Sequence, residues 1–213
     1  MELTELQIEK RRTASRVMNL YGMMVAYQTL KSPQYHTAID IGSYNGLHSR
    51  VYSKLFKRVI SFDPSDHKDI NILQSPNQEF HKKALYSERK LIDFVSFPIG
   101  GFDTFSERES RRKIREGYKF NTKKIQTYTL DEFNISDVNF IKIDAEGSDG
   151  HIIMGAKETI LKYRPVIQVE NLGERNDAHD FLMLNDYTVF DGSYLFDVYN
   201  PFRDNLYVPK EKT

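Results

Sequence analysis

The stretch Thr37-Ala-Ile-Asp-Ile-Gly-Ser-Tyr-Asn-Gly46 decides the fold of this 213-residue chain, together with Val59-Ile-Ser-Phe-Asp-Pro64 after it. An apolar run ends in Asp40, turns on Gly42 and enters a segment whose apolar residues recur every four positions, as in a helix. A second apolar run ends in Asp63. This order predicts a βαβ unit whose glycine turn holds a nucleotide-like ligand, with the second acid on its ribose hydroxyls. Glycines there let the backbone approach the ligand closely and adopt torsions closed to other residues.

The spacing of the turn narrows the class of ligand. It lacks the full Gly-x-Gly-x-x-Gly of dinucleotide folds, and Asp-x-Gly-x-x-x-Gly is typical of proteins that bind S-adenosylmethionine (SAM). Glycines between a strand and a helix are also common as a tight connection only, and Asp63-Pro64 is also a turn initiator. Asp63 nevertheless lies close to the roughly twenty-residue offset expected for a ribose-binding acid.

Further motifs follow in order along the chain: Ala84-Leu-Tyr-Ser87, Thr129-Leu-Asp131, Phe140-Ile-Lys-Ile-Asp-Ala-Glu-Gly-Ser-Asp149 and Arg164-Pro-Val-Ile-Gln-Val-Glu170. With Asp40-x-Gly42, they resemble the FkbM family of SAM-dependent methyltransferases. That family has Asp-x-Gly-Ala-Asn-x-Gly, Glu-Pro, Thr-Leu-Asp, Lys-x-Asp-x-Glu-Gly-x-Glu and Arg-Pro…Glu in the same order. The matched segments extend over most of the chain.

Four positions depart from the family pattern. Ser43 replaces the usual Ala, Tyr44 the usual Asn, and Asp63 and Asp149 each replace a Glu. The two acid replacements keep the carboxylate with a shorter reach. Tyr44 implies that contacts near the methionine end of SAM are made by other groups here.

Composition indicates the class of protein and its compartment. The 30 basic and 30 acidic residues cancel, so no global field recruits nucleic acid or a membrane. The absence of cysteine excludes disulfides, thiolate metal sites and a cysteine nucleophile. The first residues include Lys10-Arg-Arg12 and lack the apolar core of a signal peptide, and no run reaches transmembrane length. We therefore expect a soluble, cytoplasmic protein with no membrane insertion.

The chain is predicted to form a single domain over residues 1–213, with an N-terminal helical segment over residues 1–32. Strands alternating with helices imply an α/β fold with a doubly wound parallel sheet. The resemblance implies the class I methyltransferase Rossmann-like sheet of order 3-2-1-4-5-7-6, with the last strand antiparallel. Predicted strands cover residues 37–41, 58–62, 78–85, 91–97, 125–130, 138–143, 166–170, 187–190 and 205–208.

The segment from Gly100 to Lys124 shows no clear periodicity, and it contains eight basic and four acidic residues. A long loop without structure of its own is usually functional or mobile. One interpretation is a solvated charged helix. The other is a flap over the substrate, which would favour an anionic acceptor.

The predicted cofactor site lies at the carboxyl ends of the strands, at the switch point of the sheet. The turn offers backbone N–H groups to the SAM carboxylate, and Asp63 offers a carboxylate to the ribose. Apolar residues after the third strand hold adenine, and two acids face the positive end of SAM. The cofactor-binding residues are Asp40, Gly42, Ser43, Tyr44, Gly46, Asp63, Ala84, Leu85 and Asp144.

The resemblance implies O-methylation of a hydroxyl on a sugar, a glycan or a related small molecule. The catalytic candidates are Asp144, Glu146 and His151, because a hydroxyl acceptor has a proton to lose. Asp144 is the first choice as base, with holding SAM as its other role. His151 titrates near neutrality, but a histidine at a helix start is more often a surface or capping residue.

Two other enzyme classes use overlapping residues. A metal-dependent O-methyltransferase would bind magnesium or calcium through Asp144, Glu146, Asp149 and Glu170. The family pattern explains these acids without an ion, so no metal site is predicted. A ribose 2′-O-methyltransferase acting on nucleic acid would join Asp144 and Glu170 to lysines, for which Lys31, Lys157 and Lys162 are available. The balanced charge argues against a nucleic-acid partner. The sequence gives neither the identity of the acceptor nor the oligomeric state.

Overall fold

The computed structural model describes residues 24, 26–65, 75–97, 103–170, 172, 175–191 and 204–213. The strands are β1 (Thr37–Ile41), β2 (Arg58–Phe62), β3 (Gln78–His81), β4 (Ala84–Leu85), β5 (Leu91–Ser96), β6 (Asn121–Tyr128), β7 (Val138–Ile143), β8 (Val166–Val169), β9 (Tyr187–Asp191) and β10 (Asn205–Pro209). The helices are α1 (Leu47–Tyr52), α2 (Glu107–Arg115), α3 (Asp149–Met154), α4 (Lys157–Tyr163) and α5 (Asn176–Leu184). Short 3₁₀ turns cover Asp131–Phe133 and Lys210–Lys212.

Seven strands form the main sheet, in the order β3-β2-β1-β7-β8-β10-β9. The four pairs β3–β2, β2–β1, β1–β7 and β7–β8 are parallel, and β10 is antiparallel to both of its neighbours. With β7 to β10 as strands four to seven, this is the predicted order 3-2-1-4-5-7-6 with its antiparallel last strand. The prediction of the fold class is therefore confirmed.

Both faces of the main sheet are covered by other elements, as the burial of its central strands shows. All five residues of β1 and all six of β7 are buried, as expected for parallel strands between two layers of helices. Ile39 and Ile141 belong to one core cluster, together with α3, α4 and α5. Ala38 and Phe140 belong to the cluster on the other face, where Tyr52 packs on Phe140 with 5.3 Å between ring centres.

The predicted third strand over residues 78–85 is two strands in two different sheets. β3 pairs with β2, but the Lys83 N–H donates to the His81 carbonyl at 2.8 Å, and this tight turn ends the strand. Beyond the turn, β4 pairs with β6, and β6 pairs with β5 to form a three-stranded sheet. Ala84 and Leu85 therefore belong to the smaller sheet.

The segment over residues 103–124 agrees with the interpretation as a charged helix and not with a long loop. It contains helix α2, and β6 begins at Asn121. The Ser106 hydroxyl accepts a hydrogen bond from the Glu109 N–H at 3.3 Å, and Glu109 forms an ion pair with Arg112. A cap and charge pairs stabilise this helix in place of a wide apolar stripe, which is why an apolar pattern failed to reveal it.

The predicted N-terminal helix over residues 2–30 lies mostly outside the described residues. Residues 24 and 26–28 are helical, and Tyr27 packs on Phe140 with 5.4 Å between ring centres. Within the described part of the chain, no helix has the length and apolar character that crossing a membrane requires.

Gly42 ends β1 in a left-handed conformation, with φ of +73°. A Cβ atom at this position would lie 1.8 Å from the carbonyl oxygen of Asp144, at the end of β7. The close approach that requires glycine here is therefore to the chain itself and not to a ligand. The turn after β1 and the backbone after β7 are in direct contact.

Replacing Gly42 by alanine should lower the free energy of unfolding by about 2–5 kcal/mol, from the left-handed backbone and from overpacking. Gly117→Ala is the matched control, because Gly117 has φ of +88° but no atom within 4 Å of the added Cβ. It should cost only about 1–2 kcal/mol. Urea denaturation measures both values. Equal losses in the two variants would contradict the contact with Asp144.

Candidate active site

A cleft opens at the carboxyl ends of β1, β2 and β7, where an open α/β sheet binds its ligands. Seven of the predicted site residues line it: Gly42, Ser43, Tyr44, Asp63, Leu85, Asp144 and Glu146. The other four, Asp40, Gly46, Ala84 and His151, are not among its lining residues. The structure thus brings together most of a set that is spread over a hundred residues of sequence.

The turn after β1 fixes the carboxylate of Asp63. Tyr44 has φ of +43°, and its N–H donates to Asp63 Oδ2 at 2.8 Å. The Ser65 N–H donates to Asp63 Oδ1 at 2.9 Å. Burial raises the pKa of Asp63, and these hydrogen bonds oppose that shift. Each oxygen of the fixed carboxylate can accept a further hydrogen bond from a ligand.

Ser43 presents an unsatisfied hydroxyl in the same turn. Its side-chain oxygen is buried and, among the described residues, has no hydrogen-bond partner. A buried polar atom without a partner costs free energy, and such atoms are rare in folded proteins. Because Ser43 lines the cleft, a polar group of a ligand would satisfy it.

Gly46 and Asp40 support the turn from outside the cleft. Gly46 is the N-cap residue of α1, with φ of +70°, and its N–H donates to the Ser43 carbonyl at 2.8 Å. Asp40 is fully buried, and its Oδ2 accepts a hydrogen bond from the Ser49 hydroxyl at 2.5 Å. These two predicted cofactor residues therefore stabilise the conformation of the turn and do not line the cleft.

Lys142 is the site residue that the sequence interpretation missed. Its ammonium group is buried, 3.5 Å from Asp40 Oδ1 and 3.2 Å from Asp144 Oδ2. Burial alone would lower its pKa, but the charges of Asp144 and Asp40 outweigh burial and raise it. Lys142 pairs with Asp40 in the register of β7 against β1, so a lysine within a buried strand was the available signal.

Asp144 faces the cleft and is coupled to Glu170, which follows β8. The Asp144 side chain is 38% exposed, and it shares a hydrogen bond with Glu170. Burial acts to raise its pKa, but Lys142 and the hydrogen bond with Glu170 lower it to about 2. The charge of Asp144, and then burial, raise the pKa of Glu170 to about 10. At neutral pH the pair therefore holds one proton, and Glu170 carries it.

Glu146 is held by the segment around α2. Lys113, a buried residue of α2, donates to Glu146 Oε2 at 2.7 Å, and the Thr104 hydroxyl donates to the Glu146 carbonyl at 2.7 Å. Burial raises the pKa of Glu146, while Lys113 acts to lower it. The side chain lines the cleft, but one of its oxygens is already bound by a lysine.

His151 lies in a neighbouring depression. Its ring stacks on Tyr86 with 4.1 Å between ring centres, and its Nδ1 accepts a hydrogen bond from Arg175 at 2.8 Å. Burial, and then the charge of Arg175, lower its pKa to about 4. His151 is therefore neutral at physiological pH and lines a different surface from Asp144.

The apolar end of the cleft comes from the smaller sheet and from β2. Leu85, Phe94 and Phe62 line it, together with Ile152 of α3. Ala84 is buried behind them and does not reach the cleft. This wall suits a flat apolar ring, as was predicted for residues after the third strand.

The four acids that a metal site would need have other partners. Asp149 is buried and accepts a hydrogen bond from the Ala145 N–H at 2.8 Å, and Glu146 binds Lys113. In the part of the chain that the structure describes, no three His, Asp or Glu side chains are arranged to hold a metal ion.

The lysine that pairs with Asp144 is Lys142, which is not among the lysines considered for a nucleic-acid methyltransferase. The ammonium groups of Lys157 and Lys162 lie over aromatic rings elsewhere, those of Phe181 and Tyr163.

Glu170 should make stability depend on pH. A carboxyl group whose pKa is higher in the folded than in the unfolded chain contributes to the stability of the folded state. This contribution is fully present at pH values below the ordinary pKa of 4.5. That stabilisation is lost as the pH rises towards about 10. Wild-type stability should therefore fall from pH 5 to pH 9, by up to about 1 kcal/mol per pH unit.

In Glu170→Gln, which cannot ionise at this position, this fall should be smaller, because Asp63 and Glu146, whose pKa values burial also raises, still contribute to it. Urea denaturation at pH 5, 7 and 9 measures the two slopes. Glu88→Gln is the control, because the Glu88 side chain is 64% exposed and pairs only with Lys90 among the described residues. Parallel pH profiles for wild type and Glu170→Gln would contradict the shared proton.

Comparison with known proteins finds similar solved structures and one matching family. In a crystal structure of methyltransferase FkbM from Methylobacillus flagellatus KT, the similar region covers 81% of this chain and 43% of that protein, with TM-score 0.54 and 16% identity. The chain thus spans less than half the length of that protein. An rRNA methylase from Streptococcus thermophilus gives TM-score 0.45 and 11% identity, over 97% of this chain and 96% of the other.

At these identities the likeness of M. flagellatus FkbM concerns the fold alone. No curated protein matches the chain significantly. A family model described as the methyltransferase FkbM domain matches residues 40–189, from Asp40 in β1 to Val189 in β9. The chain therefore belongs to the FkbM methyltransferase family.

Proposed function

We propose that the chain is a SAM-dependent O-methyltransferase that acts on a hydroxyl of a sugar, a glycan or a related small molecule. The observation that carries the proposal is the cleft itself. It combines a glycine turn, the fixed carboxylate of Asp63 and the ionised carboxylate of Asp144 at three neighbouring strand ends. The family supports methyl transfer, and these groups support the choice of cofactor and of acceptor atom.

The groups in the cleft fit the parts of SAM. The Asp63 carboxylate is oriented to accept hydrogen bonds from ribose hydroxyls, and the apolar wall with Leu85 suits adenine. The unsatisfied Ser43 hydroxyl suits the polar methionine end. Asp144 supplies negative charge near the positively charged sulfur. SAM, when bound, supplies a methyl group that is already activated for displacement.

Asp144 is the best placed group to receive the acceptor's proton. Lys142 holds it and keeps it ionised at neutral pH, while its exposed fraction faces the cleft. Glu170 carries its own proton and acts on Asp144 through a hydrogen bond. Positioning supplies most of the catalysis expected here, because holding two reactants in line can lower the barrier by several kcal/mol.

The segment before α2 forms the movable wall of the cleft in this proposal. The cleft has a volume of about 90 Å³, below the roughly 300–1,000 Å³ typical of small-molecule sites. Asp103 and Phe105 line it from this segment, and Asp103 accepts a hydrogen bond from the Ser65 hydroxyl at 2.8 Å. Outward movement of this wall would admit ligands, and its return would exclude water from the reacting groups.

SAM should bind the wild-type protein, and Asp63→Ala should weaken that binding by about 1–3 kcal/mol through loss of a charged hydrogen-bond partner. Isothermal titration calorimetry measures the affinity, and circular dichroism checks the fold. Asp93→Ala is the control, because Asp93 is an exposed residue of β5 that pairs with Lys124. Asp63→Glu, which restores the family's residue, should recover part of the affinity. Unchanged affinity in a folded Asp63→Ala variant would remove Asp63 from the site.

Asp144→Asn should keep the shape of the side chain but lower turnover by roughly two to four decades, as for a lost acid–base group. Turnover is measured with isotope-labelled SAM and a panel of nucleotide-sugars, glycans and capped RNA, read by mass spectrometry. Asp93→Asn serves as comparison and should leave turnover near the wild-type value, since Asp93 is an exposed residue of β5 that pairs with Lys124. Turnover of Asp144→Asn within a few-fold of wild type would move the base to Glu146.

A further inference from the structure

A second depression of about 520 Å³ adjoins the cleft. Helix α2 forms one wall, and Gly147, Tyr86 and Arg175 form the others. Phe105 lines both spaces, so the two share a wall. The two spaces are therefore direct neighbours, on either side of Phe105.

The depression is lined by four arginines and two glutamates, which leaves a net charge of +2. Arg108, Arg111 and Arg115 are spaced by three and four residues, which places them on one face of α2. Arg175 faces them across the depression. Three of the basic residues of this segment thus lie on one side of the helix, facing the depression.

The glutamates leave much of this charge uncompensated. Glu107 pairs with Arg111, but the two side chains are 76% and 70% exposed, where ion pairs are weak. Glu109 pairs with Arg112, which lies outside the depression. Arg108 and Arg115 have no acidic partner among the residues that the structure describes. Two guanidinium groups therefore remain available to an incoming anion.

His151 adds a neutral donor to the same space. Its Nδ1 accepts a hydrogen bond from Arg175, so in the neutral ring Nε2 carries the proton. The stack on Tyr86 fixes the plane of the ring. Arg175 is itself held by Asp177, with 2.7 Å between its Nε and Asp177 Oδ1. This side of the depression is therefore preorganised, while α2 supplies exposed arginine side chains.

We propose that this depression binds an anionic group, a phosphate or a carboxylate, of the acceptor whose hydroxyl lies in the neighbouring cleft. The inference rests on the proposed function for the identity of that acceptor. Guanidinium groups bind phosphate and carboxylate through paired hydrogen bonds, and the four arginines here surround one space. The acceptor is thus a sugar phosphate or an acidic sugar, and His151 is a binding residue.

The direct test measures anion binding without any methyl transfer. Pyrophosphate, glucose 1-phosphate, glucuronate and glucose are each titrated into ¹⁵N-labelled protein at low salt, and the arginine Nε signals are followed by NMR. We expect the anions to shift the signals of Arg108 and Arg115, and glucose to leave them in place. The relative affinities of glucose 1-phosphate and glucuronate distinguish phosphate from carboxylate. Higher salt should weaken binding of each anion.

The Arg108→Gln/Arg115→Gln double variant should bind the preferred anion at least about tenfold more weakly, since each lost charged hydrogen bond is worth about that factor. Arg112→Gln is the matched control on the same helix and should change the affinity less than about threefold, as expected for an exposed pair. Anions that bind no better than glucose, or equal losses in the double variant and the control, would overturn the proposal.

SAM affinity separates this inference from the proposed function. In the double variant, calorimetry should show SAM binding unchanged, because neither arginine lines the cleft. A parallel loss of SAM affinity would make the arginines part of the cofactor site and overturn a separate anion site. Failure of the wild-type protein to bind SAM, with anion binding intact, would count against the proposed cofactor alone.

Discussion

The charge of Lys142 is the constraint on which the site depends. An ammonium group in the middle of a buried sheet costs several kcal/mol unless carboxylates surround it. Asp40 on the adjacent strand and Asp144 two residues along the same strand provide that compensation. This need for charge compensation keeps the end of β1 next to the end of β7, and it keeps the Asp144 carboxylate at the cleft. The residue that balances a buried charge is thus also the one available for chemistry.

A second lysine–carboxylate pair attaches the outer wall to this centre. Lys113 reaches from α2 to Glu146, which lies in the loop directly after Asp144. The Lys113 side chain is only 2% exposed, so separating the pair would leave a buried charge unless α2 moved out into water. Any displacement of the wall would therefore have to carry both charged groups into water together.

Much of the fold could be predicted from the sequence, because buried parallel strands are short apolar runs that end in turn residues. β1, β2, β7 and β8 follow from that pattern, whereas their spatial order came from the family resemblance. The break between β3 and β4 was missed because a turn at Lys83 leaves no glycine or proline in the sequence. The bounds of helix α2 were missed because their signal is a cap, Ser106 with Glu109 three residues later, and not an apolar period.

The predicted site residues lie together in the cleft where they follow strand ends, since such residues meet at one edge of a sheet. Asp63 and Asp144 are of this kind. Residues one helical turn further on, such as His151, face whichever neighbour packs against that helix, and sequence spacing does not give that direction. Lys142 was overlooked because a lysine in a strand normally indicates an exposed position, and only the pairing of β1 with β7 shows its partners.

The contact of Gly42 with the Asp144 carbonyl bears on how this fold can vary. No side chain fits between the glycine turn after β1 and the backbone of Asp144, so a change in the shape of one segment has to be matched by the other. The arginine face of α2, in contrast, meets solvent and is stabilised by local pairs. Under the proposed function, substitutions on α2 would change the acceptor preference while the centre stays fixed. Among natural variants of this scaffold, we expect the helix to differ most and the strand-end contact least.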